Sequence, residues 1–347
     1  MGPKTNAIDA LVAKLERFVE DHRGLKFKQP VKVTLIDTAA FSKRISDQSK
    51  PDPVASAKQS RILHALHLLP ANVDAGTAAQ SLLTGAVLGL YDSKTKELFV
   101  RGDDTDSPEV RQTLVHELTH ALQDQWFGLD RPDLEKKEDD TPLGFQTVYE
   151  GDAVRIQNEY LASLSKADQR KIMTAEAAQA GGATANIPRV ILEGLYFPYE
   201  VGPTFTKTVV DKGGQGRLDE AFRNPPTTSE QLIHADRFLA GEPAKPVARP
   251  AADRTEIQHN VIGEFGFIQL LETAITSVST VLRAAEGWGG DEFVAWNDGS
   301  TTCVRDNVVM DSNTDADELL AALHTWASKN PGVSVVGRAP ITITSCA

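Results

Sequence analysis

Two histidines with a glutamate between them stand in the segment HELTH, residues 116–120. If this segment is helical, His116 and His120 face the same way, so that both imidazoles can reach one metal ion. Glu117 lies on the same flank and can take a proton from a metal-bound water. The spacing therefore predicts a zinc site with a general base, a combination that hydrolyses peptide bonds.

The residues around HELTH predict the helix that such a site needs. Ser107 is a good N-cap, Pro108 suits the first helical position, and Gly128 can end the helix because it tolerates a positive φ. The apolar residues of the other flank are Val110, Leu114, Leu118, Ala121 and Leu122. Burial of that flank would hold both imidazoles still. The alternative is a pair of exposed histidines on an ordinary amphipathic helix.

A catalytic zinc site needs a third protein ligand and an open fourth position. The residues after His120 read ALQDQW, so no third histidine follows at the metzincin spacing H-E-x-x-H-x-x-G-x-x-H. Glu150, in the segment VYEGDA on the next predicted helix, is the best candidate. Gly151 beside it allows neighbouring groups to approach closely. A salt-bridging surface carboxylate is the alternative interpretation of Glu150.

Together these motifs resemble the gluzincin group of zinc metallopeptidases, in which a glutamate on a downstream helix completes the metal site. The longer pattern of HELTHALQDQ, YEGDA, PPTTSEQLIH and GWGGDEF is similar to the secreted neutral zinc peptidases of actinobacteria and related bacteria. The resemblance implies an α+β, zincin-like fold with a helix-rich catalytic body. It also implies a small sheet whose edge strand precedes the active-site helix and pairs with extended substrate. KELFV, residues 96–100, is expected to be that strand.

The resemblance also assigns roles to single residues. His116, His120 and Glu150 would bind Zn²⁺, and Glu117 would be the general base. The donor to the developing oxyanion would be His234, Tyr199 or Tyr196, because gluzincins often use a histidine or tyrosine from a later segment. Asp152 and Asp124 are competing candidates for the carboxylate that hydrogen-bonds a ligand histidine.

Two regions are expected along the chain. Residues 1–240 would form the zincin-like catalytic region, and residues 255–347 a C-terminal α/β region packed on it. A Pro/Ala-rich connector, LAGEPAKPVARPAAD, separates them. In the second region we expect one helix over 260–287, a hairpin turning at residues 297–299, a helix over 315–330 and a terminal strand over 333–347.

The composition limits the partners of this chain of 347 residues. A formal net charge of −12 argues against a nucleic-acid partner, which would need a concentrated basic face. No apolar run approaches the roughly 20 residues that span a bilayer, so no transmembrane segment is expected. The expected partner is a peptide or protein substrate.

The two cysteines, Cys303 and Cys346, allow one pairing. A disulfide would staple the last segment to the rest of the region, whereas two free thiols are the alternative. A disulfide would place the protein outside the reducing cytosol. We therefore expect an extracellular or cell-envelope protein whose signal or lipoprotein segment is not part of this sequence.

Three functions share the metal site. The leading one is a zinc-dependent hydrolase of peptide bonds, in which Glu117 activates the metal-bound water. A non-catalytic, zinc-stabilised binding module is the second, although a structural site does not need a base at position 117. The third is a metal-dependent amidase that acts on cell-wall peptides.

Overall fold

The chain, analysed as a computed structural model, has an α+β fold, and the structure describes residues 3–101, 107–183 and 186–347. Its helices are α1 (Pro3–Arg23), α2 (Thr38–Gln48), α3 (Pro53–Ala65), α4 (Ala75–Ala86), α5 (Pro108–Phe127), α6 (Pro132–Glu135), α7 (Thr141–Ser163), α8 (Lys166–Ala183), α9 (Arg189–Arg223), α10 (Ser229–Ile233), α11 (Ala235–Ala240), α12 (Gly263–Glu272), α13 (Val278–Ala285) and α14 (Asn313–Lys329). Its strands are β1 (Lys32–Ile36), β2 (Gly89–Asp92), β3 (Glu97–Arg101), β4 (Glu256–Asn260), β5 (Trp288–Asp298), β6 (Thr301–Met310), β7 (Val333–Gly337) and β8 (Ile341–Cys346).

The first sheet has three strands in the order β1-β3-β2. β2 and β3 form an antiparallel hairpin, as their sequence predicts, and β1 pairs with β3 in parallel. The expectation that KELFV is the edge strand is wrong, because β1 covers the second side of β3 and leaves β3 in the centre. The strand that lies at an edge and precedes α5 is β2. Local residues specify the hairpin, whereas the pairing with β1 joins distant segments.

Helix α5 is buried between this sheet and two other helices. Its apolar flank joins a core with residues of α1, β3 and α7, and the fully or nearly fully buried members are Val12, Leu15, Val19, Leu98, Val100, Leu114, Val115, Leu118, Leu122, Ile156 and Tyr160. This packing holds the HELTH segment on three sides, as the apolar pattern of its sequence predicts.

Helices α7 and α9 cross with their backbones in contact. A Cβ atom at Gly151 would lie 2.3–2.5 Å from backbone atoms of Gly202, and one at Gly202 would lie 2.7 Å from Cα of Gly151. Side chains at either position would separate the helices. The predicted role of Gly151 in close approach is therefore confirmed, and its partner is a second glycine.

The second sheet is antiparallel throughout, in the order β4-β5-β6-β8-β7. The predicted hairpin of β5 and β6 is confirmed, and so is the disulfide between Cys303 and Cys346, which joins β6 to β8. Residues Ile62, Ala65 and Leu66, from α3 and its end, pack into the same core as this sheet. The sheet therefore shares its core with a helix from the first region.

Two expectations for the C-terminal region are wrong. Residues 260–287 form two helices, α12 and α13, with a break in which Ser277 caps α13 by accepting a hydrogen bond from Thr280 N. The break lets both helices bury apolar residues in one core. Residues 333–347 form two strands, because the chain turns after Gly337, whose φ is +77°.

Among the helices that the structure describes, none combines the length and apolar character needed to cross a membrane.

Candidate metal centre

The HELTH segment lies in the middle of α5, and the caps predicted for this helix are present. Ser107 accepts a hydrogen bond from Val110 N, Pro108 is the first helical residue, and Gly128 ends the helix with a φ of +73°. Glu150 lies on α7, which packs against α5. Two neighbouring helices thus supply the three predicted ligands.

Three candidate ligand atoms lie close together between these helices. Nε2 of His116 lies 3.0 Å from Nε2 of His120. Oε2 of Glu150 lies 3.2 Å from the first and 3.3 Å from the second. Ligands about 2.0–2.1 Å from a tetrahedral zinc ion lie about 3.3 Å from one another. The separations in this triad therefore fit a small divalent cation.

Hydrogen bonds decide which nitrogen of His120 faces the triad. Its Nδ1 lies 3.0 Å from Oε1 of Gln123, and Nε2 of that glutamine donates to Tyr149 O and to Asp152. Since both of those partners accept, the amide oxygen must face the imidazole, and Nδ1 must carry a proton. Nε2 of His120 then presents its lone pair to the triad. Nδ1 of His116 has the matching contact, 2.9 Å from Oε1 of Gln157.

The triad therefore concentrates lone pairs and negative charge in a buried place. Within the described residues, Oε2 of Glu150 has no hydrogen-bond partner, and the glutamate is only 7% exposed. Burial disfavours a charged imidazole, yet the Glu150 carboxylate outweighs it and raises the pKa of His120 to about 9. Burial likewise raises the pKa of Glu150, but positive charge on His120, and to a lesser extent on His116, lowers it below its usual range. The group as a whole attracts a positive charge, and two imidazoles with one carboxylate are a donor set typical of zinc.

Glu117 lies beside the triad and under strand β2. Its Oε2 accepts a hydrogen bond of 2.7 Å from Tyr91 N, and its side chain is buried. Burial raises the pKa of Glu117, although the two imidazoles oppose that effect. Gly89 makes the contact possible, because a Cβ atom there would lie 2.7 Å from Cγ of Glu117. The predicted base is thus held against the backbone of an edge strand.

Tyr199 is the predicted oxyanion donor that reaches the triad. Its hydroxyl donates to Oε1 of Glu150 at 2.8 Å, and its ring stacks near that of His116. The residue is 40% exposed, which places it on the open side of the site. Desolvation of the hydroxyl end, with the charge of Glu150, raises the pKa of Tyr199 well above its ordinary value.

His234 lies elsewhere, at the end of α10. Its Nε2 is 3.0 Å from Oε1 of Glu264, and this carboxylate raises the pKa of His234. His234 also lines a cavity of about 760 Å³ together with Arg237. Across the described part of the chain, no hydrogen bond or ion pair joins His234 or Tyr196 to the triad. Their catalytic assignment stays a prediction.

The carboxylates predicted to orient a ligand histidine do not contact one. Asp124 accepts from the Tyr91 hydroxyl and from Lys96, and Asp152 binds Gln123 and two arginines. The imidazoles are held by two glutamine amides instead. Sequence reasoning missed them, although Gln123 stands three residues after His120, a spacing that shares one helix face.

Comparison with known proteins touches a different part of the chain. Residues 250–344 match a family model described as a domain of unknown function, DUF8575. This match begins beyond the metal triad and covers α12, α13, α14 and the five-stranded sheet, except the last two residues of β8. No curated protein and no solved structure matches the chain.

Proposed function

We propose that this chain is a zinc-dependent hydrolase of peptide bonds, with the site and zincin-like arrangement of a gluzincin metallopeptidase. The observation that carries the proposal is the triad of His116, His120 and Glu150, with Glu117 beside it. An edge strand, the HELTH helix and a second helix with the glutamate follow in the order that the resemblance implies. A structural metal site would not need a buried base at its edge.

A zinc ion held by the triad would polarise a substrate carbonyl and lower the pKa of a coordinated water to about 7. Glu117 would accept the proton of that water and return it to the leaving amine. Tyr91 N holds Oε2 of Glu117, and Oε1 accepts no hydrogen bond from the described residues. One oxygen of the base is thus fixed in position while the other is available for the proton.

Tyr199 would have two duties in this reaction. Its bond to Oε1 of Glu150 leaves Oε2 as the oxygen offered to the metal. The hydroxyl carries one proton, so to stabilise the negative charge that develops on the carbonyl oxygen it would turn away from Oε1 of Glu150 and donate to that oxygen instead. A substrate in extended form would lie along β2, since that edge borders the base.

We also infer that the protein works outside the cytosol, in the cell envelope or the extracellular space. The disulfide between Cys303 and Cys346 supports this inference, because such bonds persist in oxidising compartments.

The test replaces Glu117 by Gln, which keeps the shape of the side chain and removes the base. We expect Glu117→Gln to retain zinc and to lose peptide hydrolysis by a factor of about 10²–10⁴. Cleavage is read by mass spectrometry of a mixed peptide library and zinc by elemental mass spectrometry. Glu200→Gln is the control, since Glu200 is an exposed carboxylate next to Tyr199.

The outcomes test the role of Glu117 and distinguish the three candidate functions. Retained turnover in Glu117→Gln would remove Glu117 from the mechanism. A zinc-loaded wild type that cleaves only cell-wall peptides would identify the amidase. A zinc-loaded wild type that cleaves nothing would favour the binding module.

A further inference from the structure

We propose that Arg23, the last residue of α1, is a positioning residue of the metal site. It acts through Asp152 and Gln123 to hold the ring and the tautomer of His120. The proposal rests on the proposed role of His120 as a metal ligand. It makes the N-terminal helix part of the machinery that binds the metal, although Arg23 does not touch the triad.

The first link joins His120 to Gln123. The glutamine is fully buried, and its amide nitrogen has two acceptors, Tyr149 O at 3.0 Å and Oδ2 of Asp152 at 3.1 Å. A flipped amide would place its oxygen against both of these acceptors and its nitrogen against Nδ1 of His120. The contacts with Tyr149 O and Asp152 therefore set the direction of the bond, in which Nδ1 of His120 donates to Oε1 of Gln123.

The second link joins Gln123 to Asp152, which is fully buried between two arginines. Arg23 Nε donates to Oδ2 at 2.7 Å, the same oxygen that binds Gln123. Arg155 donates at 2.8 Å to the other oxygen, Oδ1. Arg23 and Gln123 thus share one carboxylate oxygen, whereas Arg155 holds the opposite side.

The third link fixes Arg23 itself. Its side chain is fully buried and forms a second ion pair, from Nη2 to Oδ1 of Asp219 at 2.7 Å. Its guanidinium also lies over the rings of Phe127 and Phe222, 5.7 and 5.6 Å from their centroids. A buried arginine with two carboxylate partners and two aromatic faces has one geometry available. Asp152 is consequently held in one position. It therefore fixes the side chain of Gln123, and Gln123 fixes the ring of His120.

The arrangement has a measurable consequence for metal affinity. A ligand histidine depends on the group that holds its other ring nitrogen, and loss of that group typically weakens metal binding by about 10–100-fold. If Arg23 acts through Gln123, removing Arg23 must weaken zinc binding even though the triad is intact. Removing both must weaken it no further than removing Gln123 alone.

The experiment measures the zinc dissociation constant of the full chain by competition with a chromophoric chelator, with circular dichroism to verify folding. We expect Gln123→Met and Arg23→Met each to raise the Kd by about 10–100-fold, and the double variant to match Gln123→Met. Arg155→Met is the matched control, since it takes a partner from the other oxygen of Asp152, and we expect less than about a threefold change.

A second double-mutant cycle tests whether Arg23 acts on His120 alone or also on His116. Gln157→Met acts on His116, so its effect and that of Arg23→Met should multiply. An Arg23→Met chain that is folded and has the wild-type Kd would overturn the proposal. Effects of Arg23→Met and Gln123→Met that multiply would overturn it as well, since a purely structural role gives that result.

If Arg23→Met does not fold, Arg23→Lys replaces it, because lysine keeps the charge but cannot hold both carboxylates in the same geometry. Nitrogen-15 spectra of the zinc-loaded wild type add a direct test, in which His120 should carry its proton on Nδ1 and bind zinc through Nε2. The reverse assignment would overturn the proposal. These measurements need no substrate, so a chain that binds zinc without hydrolysing peptides would contradict the proposed function and leave the role of Arg23 standing.

Discussion

Oε2 of Glu150 lies 3.2 Å from Nε2 of His116, although the two residues belong to different helices. Both side chains are largely buried, since the imidazole of His116 is 13% and the carboxylate of Glu150 9% exposed. A buried carboxylate that faces an imidazole lone pair is unfavourable unless a positive charge lies between them. A proton on an imidazole or a metal ion can supply that charge, so the pairing supports the proposed metal site.

Metal content tests that pairing directly. We expect about one zinc per wild-type chain, as in other single-metal sites of this donor set, and clearly less in Glu150→Ala, which removes one of three ligands. Elemental mass spectrometry on protein purified without added metal gives the ratio. Glu159→Ala is the control, since Glu159 lies on the same helix and pairs with Arg155. Equal zinc in wild type and Glu150→Ala would move the third ligand elsewhere, and no zinc in either, even after zinc is offered, would exclude the site.

The crossing of α7 and α9 should be intolerant of any side chain. In Gly151→Ala the new Cβ would lie 2.3–2.5 Å from the backbone of Gly202, so the helices must separate. We expect a loss of at least about 1–3 kcal/mol in the free energy of unfolding, and weaker zinc binding because Glu150 moves with the helix. Urea denaturation measures the first and chelator competition the second.

Gly194→Ala provides the matched control for that substitution. Gly194 is also helical, on α9, but in the described part of the chain no atom beyond its immediate neighbours and the nearby backbone of its own helix lies within 4 Å of the position its Cβ would take. We expect alanine there to be neutral or to stabilise the chain by up to about 1 kcal/mol, through its higher helix propensity. A Gly151→Ala chain as stable as Gly194→Ala would show that the crossing can relax.

The metal triad could be predicted because each of its features is visible in a short stretch of the sequence. The spacing of His116 and His120 on one helix, the caps of that helix and the glycine after Glu150 are all readable along the chain. Gln123 stands at helical spacing from His120, but its role depends on contacts with another helix. Gln157 lies on α7, 41 residues after His116, so no local spacing connects those two residues. Arg23 and Asp152 lie too far apart in sequence for any local pattern to connect them.

The errors in the predicted fold have a similar origin. β3 was expected at an edge because the sequence shows its hairpin with β2 but not its distant partner β1. In residues 260–287 the apolar pattern continues through the break between α12 and α13, and Ser277, a good N-cap, was the available signal for a new helix. Tertiary packing, which folds the two helices into one core, decided the outcome.

The disulfide should contribute stability by restricting the unfolded chain. Cys303 and Cys346 are 43 residues apart, and closing a loop of this size in the unfolded state corresponds to about 4 kcal/mol in the chain-entropy estimate. We expect Cys303→Ser/Cys346→Ser to lose up to that amount in urea denaturation. A reducing agent should slow the wild-type denatured chain on a gel and leave the double variant unchanged. Identical mobility of the wild type with and without reductant would contradict the bond.

A buried carboxyl on β6 should make the stability of the chain depend on pH. Asp306 is 1% exposed, and neither of its carboxylate oxygens has a hydrogen-bond partner in the described ranges. Burial, followed by the charge of Asp291, raises the pKa of Asp306 well above its ordinary value, and Glu292 adds to the effect. Asp291 itself accepts from the backbone of Ile262 and Gly263, so it is held in place as the neighbour of Asp306.

The sign follows from the direction of that shift. A folded-state pKa above the unfolded value of about 3.9 contributes stability that is complete below pH 4 and is lost as the pH rises through the folded value. Asp306→Asn stays neutral at every pH, so the variant should avoid this loss. We expect its free energy of unfolding to fall less steeply between pH 5 and 9 than that of the wild type, by up to about 1.4 kcal/mol per pH unit. Urea denaturation across that range compares the two slopes, in which the carboxylates remote from Asp306 cancel. Equal slopes would show that Asp306 is already ionised in the folded chain.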